Sequence, residues 1–228
     1  GYSVFSTVFY AEFLNKKLNV IDCPGSDDFV GNAVTALNVT DTGVILIDGQ
    51  YGVEVGTQNI FRTCEQLKKP IIFAINQLDG EKADFDNSLL QLKEHYGSKV
   101  VPIQFPINCG PSFNSMIDVL LMKQYTWGPD GGVPTITEIP EEYKEKALEW
   151  HQALVEAAAE NDEGLMDKFF EQGALTEDEL RLGIRKGLID RGIFPVFCVS
   201  ALKDMGVRRM MEFLGNVVPF VDDMPAPI

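Results

Sequence analysis

The chain has 228 residues, of which 45% are hydrophobic and 10% aromatic, and its formal net charge is −15. A chain of this size can bury one good core and a small second one, which predicts one domain with an insertion. The negative charge argues against a broad surface for DNA or RNA, because nucleic-acid affinity is carried largely by Lys and Arg. No apolar stretch is long enough to span a membrane and no signal-peptide pattern is present, so we expect a soluble protein.

Five apolar runs have the length of β-strands, and they are continuous in Val, Ile and Phe rather than alternating. Strands that are covered on both faces have this pattern. The runs lie at 18–21, 44–47, 71–75, 100–105 and 194–199. Helical patterns at 56–68 and 86–95 lie between them. This alternation predicts an α/β fold with a doubly wound, mostly parallel sheet.

The alternation stops after Phe105, where the sequence changes character. A Gly/Pro-rich link at 127–134 is followed by an amphipathic helix predicted at 140–160. A second helix is predicted at 177–190, opened by the capping-box pair Thr176 and Glu179. We interpret residues 107–191 as an inserted, mainly helical α+β subdomain, and residues 1–106 and 192–228 as the domain that carries it.

The four cysteines, Cys23, Cys64, Cys109 and Cys198, are far apart and form no CxxC pair. Most of them lie inside apolar runs, which is typical of reduced core thiols. The cysteine pattern therefore predicts a cytoplasmic protein.

A DxxG motif, Asp22-Cys23-Pro24-Gly25, follows the first apolar run. A carboxylate placed there can approach a phosphate-bound Mg²⁺, and the Gly N–H can face the terminal phosphate of a nucleotide. The same residue types also end ordinary strands, so this motif alone leaves both interpretations open.

Two further motifs follow later apolar runs: Asn76-Gln77-Leu78-Asp79 (NQLD) and Ser200-Ala201-Leu202-Lys203. An Asp can accept hydrogen bonds from both N1–H and the exocyclic amine of guanine, and backbone N–H groups of the second turn can donate to the guanine carbonyl oxygen. An Asx turn is the alternative for NQLD, and the second motif alone is weak. The three motifs in series, each after a predicted strand, predict a guanine-nucleotide site.

With these motifs the chain resembles translation elongation factor G, over most of that family's G domain and its inserted G′ subdomain. Further similar tracts lie at 20–25, 49–54, 153–160 and 203–207. The resemblance implies a P-loop GTPase fold that uses GTP or GDP with Mg²⁺. It also implies a role in ribosomal translocation in the cytoplasm, with the large-subunit GTPase centre and stalk proteins as partners, and with neither DNA nor a membrane.

The resemblance also implies roles for individual residues. Asp22 would hold Mg²⁺ through water, Gly25 would sense the γ-phosphate, and Ser3 would replace a Mg²⁺-coordinating Thr at the end of switch I, in the tract Gly1-Tyr2-Ser3-Val4. The base would be bound by residues of the two later loops: Asn76, Gln77, Asp79, Ser200, Ala201 and Leu202.

The chain departs from this family in three places. No GxxxxGK[ST] motif occurs, so we expect the P-loop and its strand to lie upstream of residue 1 and this fragment to bind GTP weakly or not at all. Ser26 stands where the family has the His that orients the attacking water, which predicts slow hydrolysis. Gln77 replaces the Lys of NKxD, which predicts weaker binding that is still directed to guanine. The departures suggest a diverged relative.

Two alternatives remain open. The first is a non-catalytic, ribosome-binding factor whose G domain is only a scaffold. The second is a ribosome-protection or release-factor relative. The acidic tracts at 141–160 and 176–179 fit contacts with stalk proteins and equally fit solvated helix faces.

Overall fold

The structure is a computed structural model that describes residues 3–224. The strands are β1 (Thr7–Phe13), β2 (Lys16–Asp22), β3 (Gly43–Asp48), β4 (Ile71–Asn76), β5 (Val100–Pro102), β6 (Gln104–Pro106), β7 (Ser115–Asp118), β8 (Lys123–Thr126), β9 (Thr135–Thr137) and β10 (Phe194–Cys198). The α-helices are α1 (Val30–Val39), α2 (Val55–Gln66), α3 (Phe85–Tyr96), α4 (Glu141–Ala159), α5 (Glu163–Gln172), α6 (Glu177–Ile189) and α7 (Val207–Asn216).

A parallel sheet with the strand order β3-β4-β10-β5 forms the centre of the molecule. The apolar run of β4 is fully buried from Ile71 to Ile75, because side chains on both faces of this strand pack into the core. Parallel strands end at one edge of their sheet, so the loops after β3, β4 and β10 emerge together. This sheet and its helices confirm the predicted α/β class with a parallel sheet.

The first apolar run lies in an antiparallel hairpin instead of the parallel sheet. β1 pairs with β2 through a two-residue turn at Leu14 and Asn15, both with positive φ, and the hairpin forms a sheet of its own. Within residues 3–224, β3 pairs with β4 alone, so no strand joins the hairpin to the parallel sheet. Leu46 on β3 is consequently 60% exposed and Val8 on β1 73% exposed. The expectation that 18–21 is covered on both faces was wrong.

A second, antiparallel sheet has the order β6-β7-β8-β9. The apolar run at 100–105 is divided between the two sheets, with β5 in the parallel one and β6 in the antiparallel one. Ile103 lies between them: its N–H donates to the Val196 carbonyl (2.9 Å), and its own carbonyl accepts from the Val119 N–H (2.9 Å). The two sheets therefore follow each other without a linker.

Helices α4, α5 and α6 follow the second sheet, and α4 and α6 match the predicted helices closely. Residues of both sheets and of helices α4 and α6 form one continuous buried core, and Phe169 of α5 packs against it. The Phe105 ring meets the Trp150 ring of α4 edge-on, with centroids 5.1 Å apart. The His151 Nδ1 atom lies 2.7 Å from the Val119 carbonyl oxygen. Of the helices within residues 3–224, none combines the length and apolar character needed to cross a membrane.

Candidate nucleotide-binding site

The NQLD loop begins at the last residue of β4 and turns sharply. Gln77 adopts a left-handed backbone (φ 60°) with an exposed side chain, and its carbonyl accepts from the Gly80 N–H at 2.8 Å. Leu78 points into the core and is fully buried. The buried Leu78 anchors the loop, and the polar residues on either side of it stay at the edge of the sheet.

The second loop follows β10 and spans residues 200–205; we call it the SALKDM turn. Ser200 is fully buried, and its backbone exchanges two hydrogen bonds with Met205, of 2.9 and 3.0 Å. Asp204 takes the left-handed conformation that closes the turn (φ 50°), whereas the Leu202 side chain is 90% exposed at its tip.

Two hydrogen bonds join these loops. The Ala201 N–H donates to Asn76 Oδ1 (3.0 Å), and Ser200 Oγ donates to Asp79 Oδ1 (2.6 Å). The adjacency of β4 and β10 produces this arrangement, because both loops leave neighbouring strands at the same edge. The structure thus brings together four of the residues that the sequence predicts for the base pocket.

The joined loops leave a specific set of polar atoms free. Asp79 Oδ2, Asn76 Nδ2 and the Leu202 N–H make no hydrogen bond within residues 3–224. One carboxylate acceptor and two donors remain, and guanine offers two N–H donor groups beside carbonyl and ring-nitrogen acceptors. The donor and acceptor pattern therefore fits guanine. A ligand carbonyl would accept from Leu202, or from Ala201 in place of Asn76 Oδ1.

The DxxG motif, Asp22-Cys23-Pro24-Gly25, forms a turn next to the start of α2, which we call the DCPG turn. Asp22 is exposed at the end of β2, and Pro24 is buried beneath the turn. A Cβ added at Gly56 of α2 would lie 3.3 Å from Asp27 Oδ1 and 3.9 Å from the Gly25 carbonyl, whereas Gly25 itself faces open space. No hydrogen bond in the described part of the chain links this turn to the other two loops.

Ser26 begins the short 3₁₀ turn Asp27–Phe29. Its carbonyl accepts from the Phe29 N–H at 2.9 Å, but its half-buried side chain makes no capping hydrogen bond. Ser3 is exposed ahead of β1, while Gly1 and Tyr2 of the same tract lie outside the described residues.

The residues predicted to hold Mg²⁺ supply few donors by themselves. Residues 3–224 contain no group of three or more His, Cys, Asp or Glu side chains that could hold a metal ion. Mg²⁺ commonly keeps several waters and takes one or two protein oxygens together with the phosphates of its nucleotide. The Asp22 carboxylate and the Ser3 hydroxyl, both exposed, are oxygen groups of the kind that this mode of binding uses.

Two loops of the second sheet also contact this site, and the sequence interpretation did not include them. The Gly110 N–H donates to the Leu78 carbonyl (2.8 Å), and Lys203 Nζ donates to the Pro111 carbonyl (2.7 Å). The Gly132 N–H donates to the Asp204 carbonyl at 3.2 Å. The Gly-rich link at 127–134 was the available signal, but a composition pattern does not say which surface it meets.

The fold and the joined loops define an α/β domain whose candidate ligand site lies at the carboxyl edge of its parallel sheet. The family model of the elongation factor Tu GTP binding domain matches residues 1–220, and the chain belongs to this family.

A crystal structure of a protein from Thermus thermophilus is similar to this chain, with a TM-score of 0.87 and 27% sequence identity. The match covers 96% of this chain and 32% of that protein, so the chain spans about a third of its length. These findings support the broader class, a translation-factor G domain, and the factor G family in particular remains a proposal.

Proposed function

We propose that this chain is the guanine-nucleotide-binding part of a translational GTPase of the elongation factor G type, which acts with the ribosome in translocation. The observation that carries the proposal is the pair of hydrogen bonds joining the NQLD loop to the SALKDM turn, which leaves Asp79 Oδ2 free. Membership of the elongation factor Tu GTP-binding domain family supports the class of nucleotide.

In this proposal Asp79 selects the base. Its free carboxylate oxygen accepts from N1–H and from the exocyclic amine of guanine, while Ser200 Oγ holds the other oxygen in place. Adenine presents an unprotonated N1 and no amine at these positions, so it would leave the carboxylate unpaired. An unpaired polar group in a binding pocket is costly, and this cost excludes adenine nucleotides. Gln77 is exposed, and we assign it only a weak contact along the nucleotide.

The phosphate end of the nucleotide belongs to the DCPG turn in this proposal. Mg²⁺, when bound with GTP, neutralises phosphate charge. Asp22 would hold it through water, with Ser3 as a further oxygen ligand, and the Gly25 N–H would face the γ-phosphate. The 228 residues contain no GxxxxGK[ST] motif, so binding experiments require the full-length protein.

We further propose that hydrolysis is slow. The Ser26 hydroxymethyl group is too short to reach the position that an imidazole would occupy when it orients a water molecule. Replacing Ser26 by His in the full-length protein should raise the rate of ribosome-dependent phosphate release, whereas Ser26→Ala should leave it unchanged. Rapid turnover by the unmodified protein would refute this part of the proposal.

We assign residues 107–191 to an inserted subdomain with its own contacts on the ribosome. The support for this is the second sheet and the helices α4, α5 and α6, which lie almost wholly within this range. The rival function is a nucleotide-independent ribosome-binding factor. The observation that favours it is Ser26, which stands where the family has the His that orients the attacking water. Translocation assays with GTP, a non-hydrolysable analogue and no nucleotide separate the two, because the rival predicts equal activity in all three.

The base assignment is tested by Asp79→Asn in the full-length protein. The Asn amide donates where the carboxylate accepted, so we expect affinity to move from guanine to xanthine nucleotides, whose 2-oxo group accepts a hydrogen bond. Glu81→Gln is the matched control, because it removes an exposed carboxylate two residues away. Fluorescent nucleotide titrations measure both variants. Unchanged guanine affinity in Asp79→Asn would contradict the proposed function.

A further inference from the structure

Loops of the second sheet contact both loops of the candidate base site through backbone hydrogen bonds and one side-chain hydrogen bond, that of Lys203. Gly110 binds the NQLD loop at Leu78, whose side chain is fully buried. Lys203 of the SALKDM turn reaches the Pro111 carbonyl, one residue further along the same segment. A segment of five residues, 108–112, therefore touches the two loops at once.

The second contact is made by residues 128–132, which we call the diglycine loop. Its Gly132 N–H donates to the Asp204 carbonyl (3.2 Å). Gly131 lies so close to the turn that an added Cβ would be 1.7 Å from the Lys203 carbonyl oxygen, well inside any possible contact. Gly131 and Gly132 both have positive φ, of 70° and 81°. The diglycine loop thus packs backbone against backbone on the SALKDM turn.

A buried tryptophan holds the diglycine loop in this position. Trp127 is 4% exposed, and its indole Nε1–H donates to the Gly132 carbonyl at 3.1 Å. The backbone N–H of Trp127 donates to the Asn114 carbonyl at 2.8 Å, and this bond attaches Trp127 to the second sheet. Trp127 therefore connects the diglycine loop, and through it the SALKDM turn, to the second sheet.

From these contacts we infer that Gly131 is a positioning residue for guanine selectivity: the second sheet holds the N–H groups of the SALKDM turn where they read the base carbonyl. The inference rests on the proposed function. Its chemical consequence is selective, because the N1–H and the exocyclic amine are read by Asp79, which lies on the other loop. If the tip of the turn, 201–204, is displaced while the buried Ser200 stays bonded to Asp79, discrimination at the carbonyl is lost and discrimination at the exocyclic amine is kept.

The chain provides a matched pair of variants. Gly131→Ala places a methyl group against the Lys203 carbonyl at a residue with positive φ, whereas Gly132→Ala introduces the same backbone strain with no atom within 4 Å of its Cβ. Lys203→Met adds a third case, because it removes the contact with Pro111 and leaves both backbones unaltered.

The experiment measures Kd for three nucleoside diphosphates with the full-length protein. GDP is compared with inosine diphosphate, which lacks the exocyclic amine, and with 2-aminopurine riboside diphosphate, which lacks both the base carbonyl and the N1–H. The N1–H is read by Asp79 in every variant, so a change in this second preference between variants reports the carbonyl contact. We expect Gly131→Ala to weaken GDP binding by about tenfold, the loss of one hydrogen bond in a pocket, and to lower the preference for GDP over 2-aminopurine to a similar extent. The preference for GDP over inosine diphosphate should not change.

Gly132→Ala should change each Kd by less than about threefold, since its Cβ meets no atom and its N–H can still donate to the Asp204 carbonyl. Lys203→Met should lower the preference for GDP over 2-aminopurine in part, and it carries the test if Gly131→Ala does not fold by circular dichroism. Unchanged preferences in Gly131→Ala and Lys203→Met, or an equal loss in Gly132→Ala, overturn the inference. Failure of the unmodified protein to prefer GDP over adenosine diphosphate would instead refute the proposed function.

Discussion

Removing Arg209 should destabilise the protein more than removing any exposed charge, because Arg209 neutralises a buried carboxylate. Asp118 is fully buried, and its Oδ2 accepts from Arg209 Nε (2.8 Å) and from Gln104 Nε2 (3.1 Å). Its other oxygen accepts from the Leu121 N–H at 2.9 Å. Burial lowers the pKa of Arg209, but the attraction and hydrogen bond of Asp118, together with the attraction of Tyr125 and Glu212, outweigh it and raise that pKa, so the guanidinium stays charged.

The magnitude follows from what Arg209→Met leaves behind. A buried carboxylate with two neutral donors and no counter-charge costs about 3–5 kcal/mol of unfolding free energy. With a urea m-value of roughly 2–3 kcal/mol/M, the midpoint should fall by more than about 1 M. The double variant with Asp118→Asn removes both charges and should recover at least about 2 kcal/mol of that loss, since the two residues are coupled.

Urea unfolding followed by tryptophan fluorescence measures this effect, because the only two tryptophans of the sequence, Trp127 and Trp150, are both packed against the core and report its unfolding. Arg208→Met is the matched control on the same helix. Arg208 is 55% exposed on its side chain, its ion pair within residues 3–224 is with Glu212 at 3.5 Å, and its guanidinium lies 5.7 Å from the centroid of the Phe13 ring. Its loss should therefore cost less than about 1 kcal/mol. Equal shifts for Arg208→Met and Arg209→Met would refute the reasoning.

Three further predictions concern the helix cap and the thiols. Thr176→Ala removes the side-chain acceptor of the α6 capping box and should cost about 1 kcal/mol in urea unfolding; a loss no larger than that of a solvent-facing Thr→Ala change would contradict it. The Lys168 ammonium, followed by the Thr176 backbone and hydroxyl, lowers the pKa of Glu179 to about 2. The stabilisation that this carboxylate provides is present above its unfolded pKa and is lost as the pH falls towards 2. An NMR titration measures the pKa of Glu179. A midpoint at the ordinary value for Glu would disprove the assignment. Burial raises the pKa of Cys198 well above its ordinary value, so a thiol reagent should label it far more slowly than half-exposed Cys23, and equal rates would contradict the burial.

The central sheet and the largest helices could be predicted because their signals are local. The run at 71–75 is continuous in apolar residues because β4 is buried on both faces, and no tertiary information is needed to recognise it. The capping box at Thr176 likewise marks the start of α6 within four residues of sequence. The two base-site loops were found for the same reason, since each follows one of these strands directly.

The second sheet could not be predicted in detail, because its strands have only three or four residues and mix polar with apolar side chains. Neither the approach of Gly131 to Lys203 nor the bond between Ala201 and Asn76 has a local signal, since residues more than seventy positions apart meet there. The β1–β2 hairpin was missed because the apolar residues of β2 also suit a buried parallel strand. Which interpretation holds depends on neighbouring strands rather than on the run itself.

Ile103 couples the two sheets mechanically. One peptide segment is bonded on its N–H side to the parallel sheet and on its carbonyl side to the antiparallel sheet. The junction between the two sheets therefore cannot act as a hinge for the three helices that follow the second sheet, and a torque applied to those helices would not be absorbed there. It would be transmitted into β10, the strand that ends in front of Ser200. The amide protons of Ile103 and Val119 should therefore exchange with the same opening free energy in a hydrogen-exchange experiment, because a single unfolding event breaks both hydrogen bonds.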